Sequence, residues 1–456
     1  MNISALADSV EGRVLQPGDE GYAEEVAGFN LARQHTPDVV VAARTAEDVA
    51  VAVRWAGEHA LPVGVQATGH GAVVPIASGV LVSTRGLDDL SIDPERRTAR
   101  VGAGVKWRQV LDAAAEHGLA GLCGSTSDVG VVGYTLGGGL PVLGRSYGFS
   151  SDHVRSFDVV TGDGEVHHVE SGDGSELDWA LRGGKGALGI VTSMEVELLP
   201  IADIYGGAIF WPGALAPTLL TVFSEWAETL PVEFSASIGL LRLPPLPEVP
   251  EPLRGQFTVH LRVAYLGSDE EGERLLAPMR EVAPPMIDMV GRMPYAELDK
   301  IHLDPEHPVP FEEGGVLLRE LGPDTLEAIL AEAGPEAQCP LLLVEVRLMG
   351  GALASDRSDA VGGRDAAYSL FAVGALMPPI AEAVPGALRR VIAAVEPWST
   401  GGTMVNFHGV PGDDADRARP WSAPTYERLQ RAKASYDPDN LLRFGHALPV
   451  LDLDPA

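Results

Sequence analysis

Three stretches of this sequence are rich in glycine, at 66–71, 121–139 and 183–189. Backbone N–H groups that no side chain obstructs form anion-binding concavities, so such loops can cradle a diphosphate without lysine or arginine. None is a Walker A loop, because no Gly-Lys-Ser/Thr occurs. None has the G-x-G-x-x-G spacing between strand and helix; Gly102-Ala103-Gly104 has the place but lacks the third glycine. The first stretch closes on a histidine, His70, between Gly69 and Gly71. Far along the chain, Glu345 and Arg347 fall on one face of a strand by its period of two, a carboxylate–guanidinium pair able to bind or deprotonate a substrate. Two cysteines, Cys123 and Cys339, are too few for a disulfide framework and form no metal-ligand cluster; both read as buried thiols, and no metal is expected.

The elements that must hold these residues follow from pattern. A β-branched strand near 38–42 leads through an N-cap at Thr45 to a helix over Ala46–His59, with apolar residues at 49, 52, 53 and 56. Strands follow at Leu61–Val65, Val80–Thr84 and Thr98–Val101, then a helix near 106–116. The stretch 121–139 is too glycine-rich for a stable helix or regular strand. Strands recur at 154–161, 165–169 and 189–199. Beyond Pro200 the pattern changes to helices at 215–229 and 270–282 between strands at 205–210, 234–241, 257–265 and 342–349, an α+β pattern with an antiparallel sheet. A basic helix over Tyr426–Tyr436 stops at Asp437-Pro438. With 456 residues, two domains are expected. The net charge of −31 argues against nucleic acid or an anionic membrane surface as partner. The start Met1-Asn2-Ile3-Ser4-Ala5 does not read as a signal peptide, and no run of 18 apolar residues occurs, so a cytoplasmic protein is expected.

Four separated motifs carry a resemblance. Val63–Gly71 resembles the histidine loop of the vanillyl-alcohol oxidase/p-cresol methylhydroxylase superfamily in its berberine-bridge-enzyme-like bacterial branch. Asp128–Gly139, with Arg145-Ser146-Tyr147-Gly148 and Asp152, resembles its second flavin loop. Leu181-Arg182-Gly183-Gly184 through Gly189-Ile190-Val191-Thr192 resembles its RGGGGNFGIVT segment, from which Lys185 and Ala187 depart. Tyr436-Asp437-Pro438-Asp439-Asn440 resembles its closing motif. The match covers most of 35–200 and 420–450 in the family's order; 205–400 match loosely.

The resemblance implies a two-domain α+β FAD-binding fold of the vanillyl-alcohol oxidase type. The FAD-binding domain would span 1–200 (core 35–200), and a substrate-binding domain, an antiparallel sheet flanked by helices, 201–405; residues 406–456 would return to the FAD domain. It implies FAD bonded by its 8α-methyl carbon to His70 and surrounded by Gln66, Ala67, Thr68, Gly69, Gly71, Gly124, Ser125, Thr126, Val129, Gly130, Gly133, Tyr134, Gly138, Asp152, Gly189, Ile190, Val191, Phe444 and His446. Many members hold the flavin a second time through a cysteine. Aligned on Val129-Gly130 and Gly137-Gly138-Gly139, that position is Thr126, three residues after Cys123, so attachment through His70 only is expected. Val129 is of the type associated in the family with oxygen-reactive members, which favours an oxidase. Met404 and Phe407 replace the tyrosines of the family's Tyr-x-Asn-Tyr, leaving Tyr134, Tyr147, Glu345, Arg347, Tyr368 and His408 as catalytic candidates. The expected reaction is hydride transfer from the C–H beside an alcohol or amine of a small molecule or natural-product intermediate to flavin N5, with O2 as reoxidant, in a monomer or homodimer. A flavin-dependent cyclase or tailoring enzyme of secondary metabolism, an FAD-linked dehydrogenase with another acceptor, and a non-catalytic flavin binder are the other readings.

Overall fold

The computed structural model describes residues 3–446 apart from residue 248, together with 448–449. The first two residues of the N-terminal reading, and residues 447 and 450–456 of the C-terminal segment, lie outside the described residues.

Three sheets organise the chain. The first has the order β1-β2-β4-β3, from Arg13–Leu15 (β1), Val39–Ala42 (β2), Val63–Gln66 (β3) and Val80–Ser83 (β4). β2, β4 and β3 run parallel, and Val39, Val40 and Val41 are fully buried, as a parallel strand covered on both faces requires. The helix Ala46–Glu58 begins at Thr45, whose hydroxyl accepts from the Asp48 N–H in a capping box, and buries Val49, Ala52, Val53 and Ala56. The second sheet, β5-β6-β9-β7-β8, is antiparallel throughout: Leu90–Asp93 (β5), Thr98–Gly102 (β6), Val154–Thr161 (β7), Val166–Glu170 (β8) and Gly189–Glu197 (β9).

The third sheet holds Asp203–Pro212 (β10), Phe234–Arg242 (β11), Phe257–Tyr265 (β12), Ile287–Asp288 (β13), Gly291–Pro294 (β14), Phe311–Leu318 (β15), Leu343–Leu348 (β16) and Tyr368–Ala375 (β17). Its order is β13-β10-β12-β11-β16-β17-β15, with β14 also on β10, all antiparallel. Period-two alternation divides its faces. Val344, Val346 and Leu348 pack with Leu370, Ala372 and residues of the helices Ala216–Ala227, Pro323–Ala333 and Val384–Ala394. The opposite face carries Arg262, Ser237, Glu345, Arg347, Phe371 and Glu313, and turns toward the first two sheets. β5 and β15 lack a clear sequence pattern: β5 is partly exposed, and Glu312-Glu313-Gly314-Gly315 breaks the alternation of β15.

The stretch 121–139 is not wholly irregular, contrary to expectation. It contains a short helix, Val131–Thr135, because Val131, Val132 and Leu136 are buried in the main core, and burial outweighs weak propensity. The C-terminal helix Ala423–Tyr436, capped by Ser422, starts three residues earlier than the sequence pattern indicates and docks on that core through Leu429 and Ala432. Its Lys433 is fully buried; the ammonium donates to the carbonyls of Ala187 (2.9 Å) and Leu442 (2.7 Å) and pairs with Asp437. The closing motif is thereby fastened to the third glycine-rich loop. Among the described residues no helix is long and apolar enough to cross a membrane.

Candidate active site

The loop after β3 is held by its carbonyls. Ala67 O accepts from Arg85 Nε (2.9 Å), and Thr68 O from the Phe29 N–H (2.9 Å). The backbone N–H groups of Thr68, Gly69, His70 and Gly71 donate to no acceptor among the described residues. Gly69 has φ +78°, and a Cβ there would come within 2.7 Å of Gly28 Cα, so only glycine makes this turn. His70 follows it. Phe29 stacks on the imidazole (centroids 3.8 Å apart, 15° between planes), and Nδ1 lies 3.0 Å from Thr68 Oγ1. Nε2 is buried without a hydrogen-bond partner; Asp128 Oδ2 stands 3.9 Å away. Burial holds the His70 pKa down to about 4 against the pull of Asp128, so the ring is a neutral imidazole near neutral pH.

The second loop comes up beside the first. Ser125 and Thr126 also have backbone N–H groups with no acceptor among the described residues, and a Cβ on Gly130 would lie 3.7 Å from Thr68. Lys106 pairs with Asp128, and the Ser127 N–H and hydroxyl both donate to Asp299. Two neighbouring strings of free N–H groups and a neutral imidazole beside them fit a diphosphate-bearing flavin bonded at His70. The third glycine-rich stretch works differently. Its Gly183 and Lys185 N–H groups both donate to Leu136 O and brace the second loop. Lys185 itself has φ +59°, and its ammonium donates to Gly133 O (3.0 Å) and Asn406.

The open face of the third sheet supplies a polar floor. Glu345 Oε1 accepts from Ser237 (2.6 Å), pairs with Arg262 (2.8 Å) and lies 3.2 Å from Arg347, whose same nitrogen also reaches Oε2. His302 joins from the segment after β14, 3.3 Å from Arg347, and a cavity of about 30 Å³ lies against Ser237, Arg262, His302 and Arg347. Burial alone would raise the Glu345 pKa, but Arg347, Arg262, His302 and Ser237 together hold it far below the ordinary carboxylate range. Asp304 bonds across to Ser125, so the floor meets the second loop. Glu313, half-buried on β15, sits two residues from Phe311, whose ring packs against Phe29, the residue stacked on His70. Burial lifts the Glu313 pKa to about 7 despite Lys185 and Arg33, and burial lowers that of Lys185 to about 8.

The structure brings Glu345 and Arg347 together on the inner face, as the period of two required. Tyr368 does not join them: it pairs with Leu348 on the helix-covered face, and burial raises its pKa to about 12. Tyr134 is half-buried between Gly124 and Gly139, edge-on to Trp107, with its hydroxyl 3.3 Å from Ser150; desolvation keeps its pKa well above the ordinary phenol value. Tyr147 packs edge-on against His153 instead. His408 stacks with His446 and faces Asp416 at 3.3 Å, burial lowering its pKa. Several expected cofactor contacts have side chains engaged elsewhere. The Gln66 amide bonds His35 and Ala27 O, Asp152 pairs with Arg364 and accepts from the Phe149 N–H, and Phe444 packs near Leu15 and Val40. Gly138 (φ +93°) packs against Val361, while Gly189, Ile190 and Val191 are strand residues of β9 paired with β7. Val129 O accepts from the Trp107 N–H, and a Cβ on Gly133 would meet nothing within 4 Å. Arg262, His302, Glu313, Lys185, Asn406 and Asp128 were missed as site residues. Asp128, Lys185 and Asn406 had a signal, lying inside motifs that resemble the family's.

The family model for an FAD binding domain matches residues 37–170, and that for berberine and berberine-like proteins matches 418–449. The chain is 26% identical to (R)-6-hydroxynicotine oxidase of Paenarthrobacter nicotinovorans over 461 residues, covering 96% of each chain. The crystal structure of 6-hydroxy-D-nicotine oxidase from Arthrobacter nicotinovorans superposes with a TM-score of 0.84 at 24% identity, covering 97% of this chain and 98% of that one. Glucooligosaccharide oxidase from Acremonium strictum, described as carrying a 6-S-cysteinyl, 8α-N1-histidyl FAD, has a TM-score of 0.84 at 18% identity, covering 99% of this chain and all of that one.

Proposed function

As a member of the vanillyl-alcohol oxidase superfamily of FAD-linked oxidoreductases, the chain is, we propose, an oxidase that removes hydride from the carbon bearing an alcohol or amine of a small molecule. The observation that carries this is the neutral His70 imidazole beside two loops of free N–H groups, opposite a floor of charged side chains. Thr68–Gly71 and Gly124–Thr126 would hold the diphosphate and ring edges, and His70 would bond the 8α carbon. Attachment is through His70 only: Thr126 stands at the second position, and Cys123 is fully buried, burial pushing its thiol pKa well up and its Sγ facing Thr126 O at 3.6 Å. FAD, when bound, supplies the hydride acceptor and hands two electrons on to dioxygen.

The chain's own groups do the rest. Glu345 stays ionised and saturated, so it anchors Arg262 and Arg347 instead of taking a proton. Arg347 then presents its guanidinium to the cleft, able to orient a substrate oxygen. Glu313 lies on the same face with a pKa near working pH, which suits the base that receives the substrate's O–H or N–H proton. Lys185 faces it and stabilises the carboxylate. The protein is proposed to take a small-molecule substrate and O2, to act as a monomer or homodimer, and to work in the cytoplasm.

The test is anaerobic. The yellow protein is mixed with a panel of secondary amines, amino alcohols and sugars, and bleaching is followed; air is then admitted. The proposal expects a donor that bleaches the flavin and oxygen uptake with peroxide on reoxidation. Rapid bleaching that air reverses only slowly, while an added quinone reverses it at once, would make the protein a dehydrogenase.

A further inference from the structure

A neutral imidazole carries one N–H and one lone pair, and only the nitrogen with the lone pair can form a new bond to carbon. Which nitrogen that is depends on the partners of each. At His70 the two partners differ in kind. Asp128, beside Nε2, is a carboxylate and can only accept. Thr68, beside Nδ1, has a hydroxyl that can donate to a lone pair. The stack on Phe29 holds the plane of the ring. Asp128 is itself fixed, its other oxygen paired with Lys106, and the Lys106 backbone bridges Gly130 in the same loop. Asp128 and Thr68 both lie inside the matched motifs, and Thr68 stands where the family often has glycine.

We propose that Asp128, braced by Lys106, is the positioning residue for flavin attachment: it holds His70 as the Nε2–H tautomer, so that Nδ1 forms the bond, and it receives the Nε2 proton as that bond is made. This rests on the reading that the flavin is bonded at His70. The step balances as follows. One C–H bond of the 8α-methyl group and the imidazole N–H bond break, and one Nδ1–C bond forms. The two electrons released go to dioxygen, which takes them with the two protons as hydrogen peroxide. The 3.9 Å from Nε2 to Asp128 is longer than a hydrogen bond, and such contacts shorten as the donor becomes more acidic. Partners of this kind change the function of the histidine they orient by about 10–100-fold.

The experiment compares wild type, D128N and D128E. Each is prepared flavin-poor, supplied with FAD in air, and sampled over time; acid precipitation separates bonded from released flavin, and native absorbance gives the total bound. The expectation is full attachment in wild type, attachment about 10–100-fold slower in D128N with FAD still bound, and recovery toward wild type in D128E. A D128N protein that attaches flavin at the wild-type rate overturns the proposal. If D128N binds no FAD, D128E decides: attachment recovered toward the wild-type rate supports the proposal, and FAD bound without attachment overturns it; an Nε2 linkage in the wild-type flavin peptide, read by NMR, overturns it too. Wild type that releases all its flavin into acid would instead sink the underlying His70 reading, a result distinguishable from the others.

Discussion

Replacing Glu313 by glutamine separates stability from turnover. The carboxyl's pKa rises from an ordinary 4.5 to about 7 in the fold, because burial disfavours the charge more than Lys185 and Arg33 favour it. A rise of that size corresponds to about 3 kcal/mol of destabilisation once the group is ionised. Water in the cleft screens a half-buried group, which reduces this to about 2 kcal/mol. The sign follows from linkage: the protonated form is favoured in the fold, so the penalty is absent below the unfolded value. It grows as pH rises from 4.5 toward 7 and is complete at pH 8. E313Q cannot ionise and escapes it. Its melting temperature should exceed that of wild type by about 4 °C at pH 8 and match it at pH 4. Over the same range wild-type kcat/KM should climb tenfold per pH unit up to about 7, and E313Q should lose about 10²–10⁴-fold and that pH dependence. Thermal melts and steady-state oxygen uptake across pH read both effects. An E313Q protein that melts lower than wild type at pH 8, or that turns over at the wild-type rate with the same profile, would refute the reasoning.

Glu345→Gln leaves Arg262 and Arg347 buried without their counter-charge, so it should cost about 3–5 kcal/mol in chemical denaturation and raise KM as Arg347 loses its orientation. The depressed pKa of Glu345 adds stability that is fully present above the unfolded carboxylate value and is lost as pH falls toward the folded one; a wild-type-minus-E345Q difference that shrinks in acid checks this. Lys433→Met should cost about 3 kcal/mol, the lower end for a broken buried pair, because Asp437 keeps the N–H groups of Leu441 and Leu442; urea unfolding measures it. Cys123→Ser should leave the acid-stable flavin unchanged, since the thiol is buried in the core; loss of bound flavin on acid treatment would contradict it.

The parts of the site that were legible in the sequence are those fixed by local backbone demands. Gly69 makes a turn only glycine can make, and the spacing around His70 is continuous in the chain, so the loop could be read directly. The period of two placed Glu345 and Arg347 on one face correctly but not what that face would do: Arg262 and Ser237, two strands away or less in the sheet, saturate Glu345 and remove it as a base. The same period applied to β17 places Tyr368 under the helices, but β17 itself had not been recognised. Glu313 was hidden because the alternation of β15 is broken and its partners, Lys185 and Arg33, are brought in from far along the chain. In the third glycine-rich stretch the N–H groups of Gly183 and Lys185 are spent on Leu136, a pairing that only the folded chain reveals.

The most direct measurement is intact mass, under denaturing conditions, of wild type and His70→Ala purified side by side. The account predicts wild type heavier than its polypeptide by one FAD less two hydrogens, with the added mass mapping to the peptide containing His70, and the variant at bare polypeptide mass. A single adduct that persists in the variant, or a wild-type protein with no adduct at all, would contradict it.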